Sequence, residues 1–404
     1  MPSYSQVKSV SLSKVISGSA LIAGTAIGAG MLAIPLVTAQ SGFFPAVATS
    51  ILVWLFMLST GLLFMEAALW MPKGSNILSM SSQLLGRSGK YAAGGMFLFL
   101  YYCLIVAYFA GGAPLLSGVL SDLFGVSLSG WGSYLVFGGI FGIIVSKGAK
   151  AIDRVNLTLT VAMILAYVTL ISTGSTEVSS NLLARANWPG FYLALPILFG
   201  AFGYHNVIPS VCTYLERDRK SIRFSIICGT TLALTVYLLW QWLIIGSIPQ
   251  EMIIKTLEAG QPVTQALQAM TGNSWIYPIG RFFAFFALTT SLLGVAFSMV
   301  DFISDGLKMK REGLSRIALA VLTFVPPGVC AAVNPTIFQK ALGLAGGFGE
   351  AFLNGLLPVL LVWAGRYRFK QESVDPLPGG KTALGALALF SLGVIGLEAY
   401  LLLS

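Results

Sequence analysis

The sequence predicts an all-α polytopic membrane protein, built as two inverted repeats of five transmembrane helices with an eleventh helix added. Three observations predict this fold class. The chain is 56% hydrophobic and only 10% charged, a balance that fits a membrane protein rather than a large soluble core. Its apolar residues fall into eleven segments, most of them long enough to cross about 30 Å of hydrocarbon. Two of these segments are interrupted by glycine and proline.

The eleven segments leave no room for a soluble domain, so residues 1–404 form a single transmembrane domain. The fourth segment is short and is either tilted or extended. The longest loop contains residues 250–257, which favour a short interfacial helix. The predicted segments are 14–38, 43–70, 92–120, 131–146, 151–172, 190–210, 221–246, 275–304, 315–333, 337–364 and 382–403.

The distribution of basic residues predicts the orientation in the membrane. With the N-terminus inside, 20 of the 24 Lys and Arg residues fall at cytoplasmic ends and loops. Only Arg185 and Lys255 fall in outer loops, and Arg281 and Lys340 lie near outer membrane boundaries. This is the positive-inside pattern for an odd number of spans, and it places the C-terminus outside. The net charge of +9 therefore indicates a lipid bilayer as the partner and not a nucleic acid.

The two interrupted segments match each other. Residues 24–35 read GTAIGAGMLAIP, and residues 199–209 read FGAFGYHNVIP. Glycine lowers helix stability and proline removes a backbone donor, so both helices are expected to break. In lipid, broken backbone survives only where it is buried in protein or lines a cavity. A close helix contact of the small-xxx-small kind is the alternative for the first segment, but the polar Tyr-His-Asn run in the second favours a site.

The two breaks predict an inverted repeat. Segments one to five and six to ten each begin with a broken helix, and because five is odd the second set crosses in the opposite sense. Repeat one covers about 14–172, repeat two about 190–364, and the extra helix about 382–403. The expected site lies near the midplane between the breaks. Half-helix N-termini there suit a carboxylate, and half-helix C-termini suit an ammonium group or a cation. A zwitterionic amino acid meets both demands.

Several other functions are disfavoured by what the sequence lacks. It has no selectivity ring or repeated filter of the kind a channel needs. One histidine and scattered acids make a membrane enzyme improbable, and no Gly-x4-Gly-Lys motif supports nucleotide-driven pumping. We expect no metal and no cofactor, and the sequence carries no signal for an oligomeric state. The cysteines lack metal-ligand spacing and are expected to be packing residues: Cys103, Cys212, Cys228 and Cys330.

Four motifs resemble those of one transporter family. The segment 24–35 is similar to the opening signature of the hydroxy and aromatic amino acid permeases, the bacterial tyrosine- and tryptophan-specific permeases. Residues 202–210 resemble the family's sixth-span motif, and Trp240-Gln241 with 246–248 resembles the seventh. Residues 290–296 with Asp301 resemble the eighth. The similarity runs from about residue 12 to the end of the chain.

The resemblance implies both a fold and an activity. The family belongs to the amino acid–polyamine–organocation superfamily and has the leucine-transporter fold. It implies secondary transport of an aromatic amino acid, tyrosine as first choice and tryptophan as second, coupled to protons in the bacterial inner membrane. Alternating access, in which the broken spans and their neighbours rock against the rest, follows from the fold. A sodium-coupled symporter of the same fold is the alternative, and a channel is a distant one.

By that resemblance the first break binds the substrate's backbone atoms. The N–H groups expected to bind the carboxylate belong to Ile27, Gly28, Ala29 and Gly30. The carbonyls expected to bind the ammonium group are near Gly24, Thr25 and Phe199. The alternative is that these glycines only permit tight packing.

The second break contains the only histidine, His205, between Tyr204 and Asn206. Histidine exchanges a proton most easily near neutrality, and ionisable residues within membranes are usually functional. We expect all three residues near the substrate, with His205 as an ion-coupling candidate. The alternative is a neutral imidazole that ties loose carbonyls of the unwound segment together.

An aromatic substrate requires flat apolar walls and one polar handle. The candidates for the walls are Phe199, Phe202, Tyr204, Tyr102 and Tyr108. Any one of them is more often a packing or lipid-facing residue. A glutamine in a membrane span is unfavourable unless it points inward, so Gln241 is a candidate polar group near the pocket.

Hydroxyl groups and acids supply the remaining ion-coupling candidates. Thr290 and Ser291 lie mid-span in the eighth helix, where sodium-coupled relatives of the fold bind their ion, although they can also bond to their own helix. Glu350 shares a helix face with Lys340 and is either a buried proton site or the partner of a base on another helix. The acids expected in gate salt bridges are Glu66, Asp153, Asp301 and Asp305.

Overall fold

The computed structural model describes residues 10–258, 263–271, 275–310, 312–373 and 376–404. The side chain of Asp153 lies outside this description, as do Lys8 and Arg311, two of the 20 basic residues predicted at cytoplasmic ends and loops. The described residues form helices joined by short connections, with one isolated antiparallel bridge between Gly42 and Ala186. Helices dominate because lipid offers no hydrogen bonds, so each apolar segment must pair its own backbone groups.

Seventeen α-helices, numbered α1 to α17 in chain order, make up the described bundle. Two π-helical segments, Ala345–Leu356 and Ala364–Arg368, flank α16 and continue the path of α15. The α-helices are Leu12–Ala26, Ala29–Thr38, Phe43–Trp70, Ile77–Phe124, Trp131–Lys147, Ala149–Gly174, Ser180–Ala184, Leu195–Ala201, Ile208–Tyr214, Arg219–Ser247, Gln250–Glu258, Val263–Thr271, Ile276–Leu307, Gly313–Val333, Phe338–Leu344, Leu357–Trp363 and Gly380–Leu403.

The helices account for the predicted segments. Among the described residues nine are long and apolar enough to cross a membrane, and the bent pair α1–α2 makes a tenth. The predicted fourth segment corresponds to α5, which is shorter at 17 residues. The short helix predicted at 250–257 is α11. The inverted relation between the two sets of helices and the crossing of an eleventh stay predictions.

Helix α4 begins well before the predicted third segment. Asn76 caps it: its side chain accepts from the Ser79 N–H at 2.9 Å, and the Ser79 hydroxyl oxygen accepts from the Asn76 N–H at 2.8 Å. Gly86 then adopts a positive φ of 76°, which bends the helix where its apolar part begins. The polar first part was missed because a hydropathy argument detects only the membrane-crossing part.

Both predicted breaks are present. Helices α1 and α2 meet at 56°, and between them Ile27 and Gly28 have extended backbone. Helix α8 ends at Ala201, and a single 3₁₀ turn at His205–Val207 leads into α9. Both breaks are packed against other helices. Helix α1 lies against α10, and α2 lies against α8. Helix α8 in turn lies against the first π-helical segment.

Polar contacts hold the two ends of the bundle. At the end that includes the α3–α4 connection, Glu66 forms a two-point ion pair with Arg366 at 2.5 and 2.8 Å. Lys14 and Glu216 form a second pair there at 2.6 Å. At the opposite end Arg185 donates to the Ala39 carbonyl at 2.8 Å.

Candidate functional site

A cavity of about 970 Å³ lies where the two helix breaks meet. Its size is at the upper end of the range typical of small-molecule sites. The first break contributes Thr25, Ala26, Gly28, Ala29 and Gly30 to its wall. The second break contributes Gly200, Ala201, Gly203, Asn206 and Pro209. Four of the residues predicted for the substrate backbone therefore line one cavity: Thr25, Gly28, Ala29 and Gly30.

Other helices contribute to the wall as well. Helix α4 contributes one face, at helical spacing, with Phe97, Leu100, Tyr101, Leu104 and Tyr108. Helix α13 contributes Ser291, Val295, Ser298, Asp301, Phe302, Asp305 and Gly306. The π-helical segment and the helix before it contribute Leu342, Glu350, Leu353 and Asn354.

The cavity opens at one end of the bundle. It reaches exposed residues of the α3–α4 connection, the end of α9 and the end of α13, namely Gly74, Asn76, Thr213 and Asp305. At the opposite end the connection after α2 is closed by backbone contacts, since the Asn187 N–H donates to the Ser41 carbonyl at 2.7 Å. The cavity is thus accessible from the side of the α3–α4 connection.

Glycines allow the two breaks to approach each other. A Cβ built on Gly30 would lie 2.6 Å from both Cα and Cβ of Ala201, a distance that real Cβ atoms do not adopt. A Cβ on Gly28 would overlap the hydroxyl oxygen of Ser291. In contrast, a Cβ on Gly24 would meet no atom within 4 Å. Gly28 and Gly30 are therefore both closely packed and part of the cavity wall, whereas Gly24 is neither.

One tyrosine hydroxyl joins the two breaks. The Tyr237 oxygen lies 2.6 Å from the carbonyl oxygen of Ala26 and 2.7 Å from that of Ala201. These alanines are the last residues of α1 and α8, where helix carbonyls have no partner within the helix. They follow the carbonyls predicted near Gly24, Thr25 and Phe199 by one or two residues. Tyr237, in α10, is fully buried behind the cavity wall.

Glu350 places a carboxyl group beside the second break. It is 6% exposed, and the side-chain amide of Asn354 donates a hydrogen bond to it. A Cβ built on Gly203 would lie 2.5 Å from its Oε1 atom. Of the ion-coupling candidates, Glu350 and Ser291 line the cavity, while His205 and Thr290 do not.

Aromatic rings form a stack on the cavity wall. The Phe97 ring lies 4.0 Å from that of Tyr101 and 4.7 Å from that of Phe302, with nearly parallel planes in both pairs. The Asn206 amide donates to the Tyr101 hydroxyl at 3.3 Å, so a polar group stands at the edge of the stack. The sequence argument named Asn206 but missed Tyr101, whose signal was its helical spacing from Phe97 and Tyr108.

The predicted aromatic residues of the sixth span lie behind the break rather than on the cavity. Phe199 packs between Phe56 and Phe390, with ring centroids 5.0 and 5.9 Å away. Phe202 packs edge-on against Tyr237 at 5.0 Å. The Tyr204 hydroxyl donates to the Met57 carbonyl at 3.0 Å, lying over Gly61 of α3.

His205 is fully buried against α3. Its Nε2 lies 3.0 Å from the Thr60 hydroxyl oxygen, and its ring packs edge-on against Phe64 at 6.0 Å. Its Nδ1 has no hydrogen-bond partner among the described residues. This geometry fits the structural interpretation, an imidazole that fixes the second break to α3, better than a group exposed to the substrate.

Two further candidates are engaged away from the cavity. Gln241 accepts from the Thr38 hydroxyl at 3.3 Å and donates to Ser50 at 3.0 Å, which links α10 to α2 and α3. Its amide points inward, as a glutamine in a span must. The Tyr102 hydroxyl donates to the Leu322 carbonyl of α14 at 2.9 Å, so it faces away from Tyr101.

The hydroxyl pair in α13 divides its roles. Thr290 donates to the carbonyl of Phe286 in its own helix at 2.9 Å. The Ser291 hydroxyl lies directly against Gly28, and both residues line the cavity. A cation site that uses this pair would therefore use Ser291 and the first break, without Thr290.

Three of the four acids predicted for gates have described side chains, and these lie toward the open end of the bundle. Glu66 pairs with Arg366, and Asp301 and Asp305 line the mouth of the cavity. Another buried carboxyl, Glu398 of α17, interacts electrostatically with Lys340. The described residues contain no group of three or more His, Cys, Asp or Glu side chains arranged to hold a metal ion.

Comparisons with known proteins place the chain in a family. The family model for the tryptophan/tyrosine permease family matches residues 11–398. The chain is 35% identical to the tyrosine-specific transport system 1 of Haemophilus influenzae over 361 residues, which are 88% of this chain and 89% of that protein. It is 33% identical to the tryptophan-specific transport protein of the same organism over 409 residues, 98% of this chain and 96% of that protein.

A third relative extends the pattern to another genus. The chain is 31% identical to the tryptophan-specific transport protein of Pseudomonas aeruginosa over 399 residues, 96% of this chain and 95% of that one. The family match over residues 11–398 includes both broken helices and the residues that line the cavity. This multi-pass membrane protein is a transport protein and not an enzyme, and it belongs to the tryptophan/tyrosine permease family.

Proposed function

We propose that this protein imports an aromatic amino acid, tyrosine in the first place and tryptophan in the second, across the cytoplasmic membrane by proton symport. The relatives named above transport these two amino acids. One observation carries the proposal: a single cavity meets two broken helices, an aromatic stack and a buried carboxyl group. Each of these features serves one part of such a substrate or its coupling ion.

The broken helices supply the backbone contacts. The first N–H groups of α2, at Ala29 and Gly30, have no partner within the helix, and the positive end of the helix dipole favours an anion there. They suit the substrate carboxylate. The carbonyl ends of α1 and α8 carry the opposite partial charge and suit the ammonium group.

The aromatic stack supplies the side-chain contacts. A phenol or indole ring gains from offset or edge contacts with Phe97, Tyr101 and Phe302. The hydroxyl and amide of Tyr101 and Asn206 are the polar handle for a phenol O–H or an indole N–H. A purely aliphatic amino acid would leave this handle unpaired, which favours aromatic substrates over leucine.

The coupling proton is assigned to Glu350 rather than to His205. Glu350 lines the cavity and touches the second break, so its charge changes the electrostatic potential at the substrate site. A carboxylate taken out of water is costly, and protonation removes that cost. His205 is held by Thr60 on the far side of the break.

Alternating access follows from the one-sided opening. By the positive-inside rule the α3–α4 connection is cytoplasmic, so the described conformation faces inward, with the N-terminus inside and the C-terminus outside. Movement of α1–α2 and α8–α9 against α4 and α13 would close the mouth at Asp305 and open the opposite end.

Sodium coupling is the second candidate. Ser291 and the extended backbone at Gly28 bring a hydroxyl and main-chain groups together. Oxygen ligands of this kind suit a hard cation. Thr290, the other predicted ligand, is bonded to its own helix.

The test is uptake of labelled tyrosine into proteoliposomes that contain the purified protein, with an inward proton gradient and no sodium. We expect saturable uptake that tryptophan and phenylalanine inhibit and leucine does not. Uptake that appears only after sodium is added would replace proton coupling by sodium coupling. Uptake that does not saturate would favour a channel.

A further inference from the structure

The Tyr237 hydroxyl contacts both broken helices at their carbonyl ends. Its oxygen lies 2.6 Å from the Ala26 carbonyl and 2.7 Å from the Ala201 carbonyl. Both distances are normal for an O–H···O hydrogen bond. Tyr237 belongs to neither broken helix, since it comes from α10. One side chain of a third helix therefore sets the spacing of the two breaks.

The two carbonyl ends would repel each other without a donor between them. Each helix end carries a partial charge of about −0.5, and like charges in a low-dielectric interior separate. The two carbonyl oxygens are close together, because one hydroxyl oxygen lies 2.6 Å from the first and 2.7 Å from the second. The shared hydroxyl proton offsets the repulsion at the point of closest approach.

The hydroxyl does not use up the acceptors. A tyrosine has one O–H proton, whereas two carbonyl oxygens offer four lone pairs. Ala26 and Ala201 both line the cavity, and Tyr237 is fully buried behind them. Because both residues line the cavity, a ligand there is within reach of the remaining acceptor capacity in our interpretation. An ammonium group, with a full positive charge and several N–H donors, is the ligand that such a pair favours.

We infer that Tyr237 is a positioning residue for recognition of the substrate ammonium group: it holds the Ala26 and Ala201 carbonyls convergent on the cavity. The inference rests on the proposed function, because it assigns part of the amino acid site. Tyr237 does not touch the substrate. Its role is to fix the two acceptors and, through them, the relative position of the two breaks.

Two substitutions distinguish the role of the Tyr237 hydroxyl from the space-filling role of its ring. Phe202 lies edge-on against its ring, so the ring itself fills space. Tyr237→Phe removes only the hydroxyl and keeps the ring. Phe202→Leu changes the packing and keeps the hydroxyl, which makes it the control.

The test compares two ligands for each protein. The first is labelled tyrosine, and the second is its deamino analogue, 3-(4-hydroxyphenyl)propionate, used as a competitor. For Tyr237→Phe we expect the half-saturating tyrosine concentration to rise by roughly tenfold, the scale of one charge-assisted hydrogen bond. The inhibition constant of the deamino analogue should stay unchanged. Phe202→Leu should shift both values together or neither.

Parallel weakening of both ligands by Tyr237→Phe would mean a general structural role and would overturn the inference, as would unchanged or tighter tyrosine binding. A second measurement needs no variant. It compares the affinity of the wild-type protein for tyrosine, N-methyltyrosine and N,N-dimethyltyrosine, whose ammonium groups carry three, two and one N–H donors. Two acceptors are still satisfied by N-methyltyrosine but not by N,N-dimethyltyrosine. The second methyl group should therefore lower affinity more than the first. Equal steps would contradict two acceptors. Failure of wild-type uptake would instead overturn the proposed function, and the inference with it.

Discussion

The carboxyl group of Glu350 lies against the backbone of Gly203, so that a Cβ built on this glycine would lie 2.5 Å from Oε1. The contact joins the π-helical segment to the second helix break. A change of charge on Glu350 therefore acts at once on the unwound backbone that borders the cavity. Loss of the proton leaves a carboxylate held by the Asn354 amide, and gain of the proton removes the charge from the wall.

The approach of the two breaks predicts different effects for two nearby glycines. Gly30→Ala places a methyl group 2.6 Å from Ala201, and overpacking of this kind costs about 1–3 kcal/mol. We expect uptake of tyrosine to fall by roughly tenfold, or the protein to be lost from the membrane. Gly24→Ala is the matched control, since its methyl group meets open space and alanine favours the helix by about 1 kcal/mol. Equal effects of the two changes on uptake, normalised to protein amount, would contradict this account.

Two adjacent tyrosines predict a test of the polar handle. The Tyr101 hydroxyl accepts a hydrogen bond from the Asn206 amide at the cavity. The Tyr102 hydroxyl donates to the Leu322 carbonyl on the other side of the helix. Tyr101→Phe should raise the half-saturating concentration for tyrosine more than for phenylalanine, which has no hydroxyl to pair. Tyr102→Phe should leave the ratio of the two unchanged. Competition assays with both amino acids measure the ratio, and a shift confined to Tyr102→Phe would refute the assignment.

His205 is expected to matter for stability and not for coupling. Its Nε2 contact with Thr60 fixes the second break to α3, and loss of a buried hydrogen bond costs about 1–3 kcal/mol. His205→Gln should lower the melting temperature in detergent and keep proton-driven accumulation in the fraction that folds. Thr60→Val removes the other partner and should behave alike. A stable His205→Gln protein that binds tyrosine but no longer accumulates it would make His205 the proton carrier.

Substitutions at Ser291 and Thr290 distinguish proton coupling from sodium coupling. Since Ser291 faces Gly28 and Thr290 bonds to Phe286, only Ser291→Ala can disturb a cation at the first break. With proton coupling, both alanine variants should retain uptake in sodium-free medium. A sodium requirement in the wild-type protein that weakens in Ser291→Ala and not in Thr290→Ala would support the sodium alternative instead.

The sequence predicts the helices and the breaks well because hydropathy, glycine and proline act locally. The GTAIGAGMLAIP segment breaks where its glycines are, and Gly28 and Gly30 line the cavity. The rotation of each helix about its axis is not a local property. Whether Tyr101 or Tyr102 faces the cavity depends on which neighbours α4 packs against, and spacing alone did not distinguish them.

Tyr237 and Asn354 were missed for a related reason. Each looks like an ordinary packing residue in an apolar span, and its role arises from a partner far away in sequence or from the helix type. Tyr237 bonds to residues 211 and 36 positions away. Asn354 meets Glu350 within a π-helical segment, which no propensity argument anticipated.

The most direct test of the account compares two modes of transport in Glu350→Gln. In counterflow, labelled tyrosine exchanges with unlabelled tyrosine and no proton gradient is used. In driven uptake, an inward proton gradient supplies the energy. Glu398→Gln is the matched control, because Glu398 is also a buried glutamate but lies against Gly343 and Gly347, outside the cavity.

If Glu350 carries the coupling proton, Glu350→Gln should retain counterflow and lose accumulation driven by the proton gradient, whereas Glu398→Gln should retain both. Accumulation in Glu350→Gln equal to that of the wild-type protein, at equal protein density in the vesicles, would contradict the central claim.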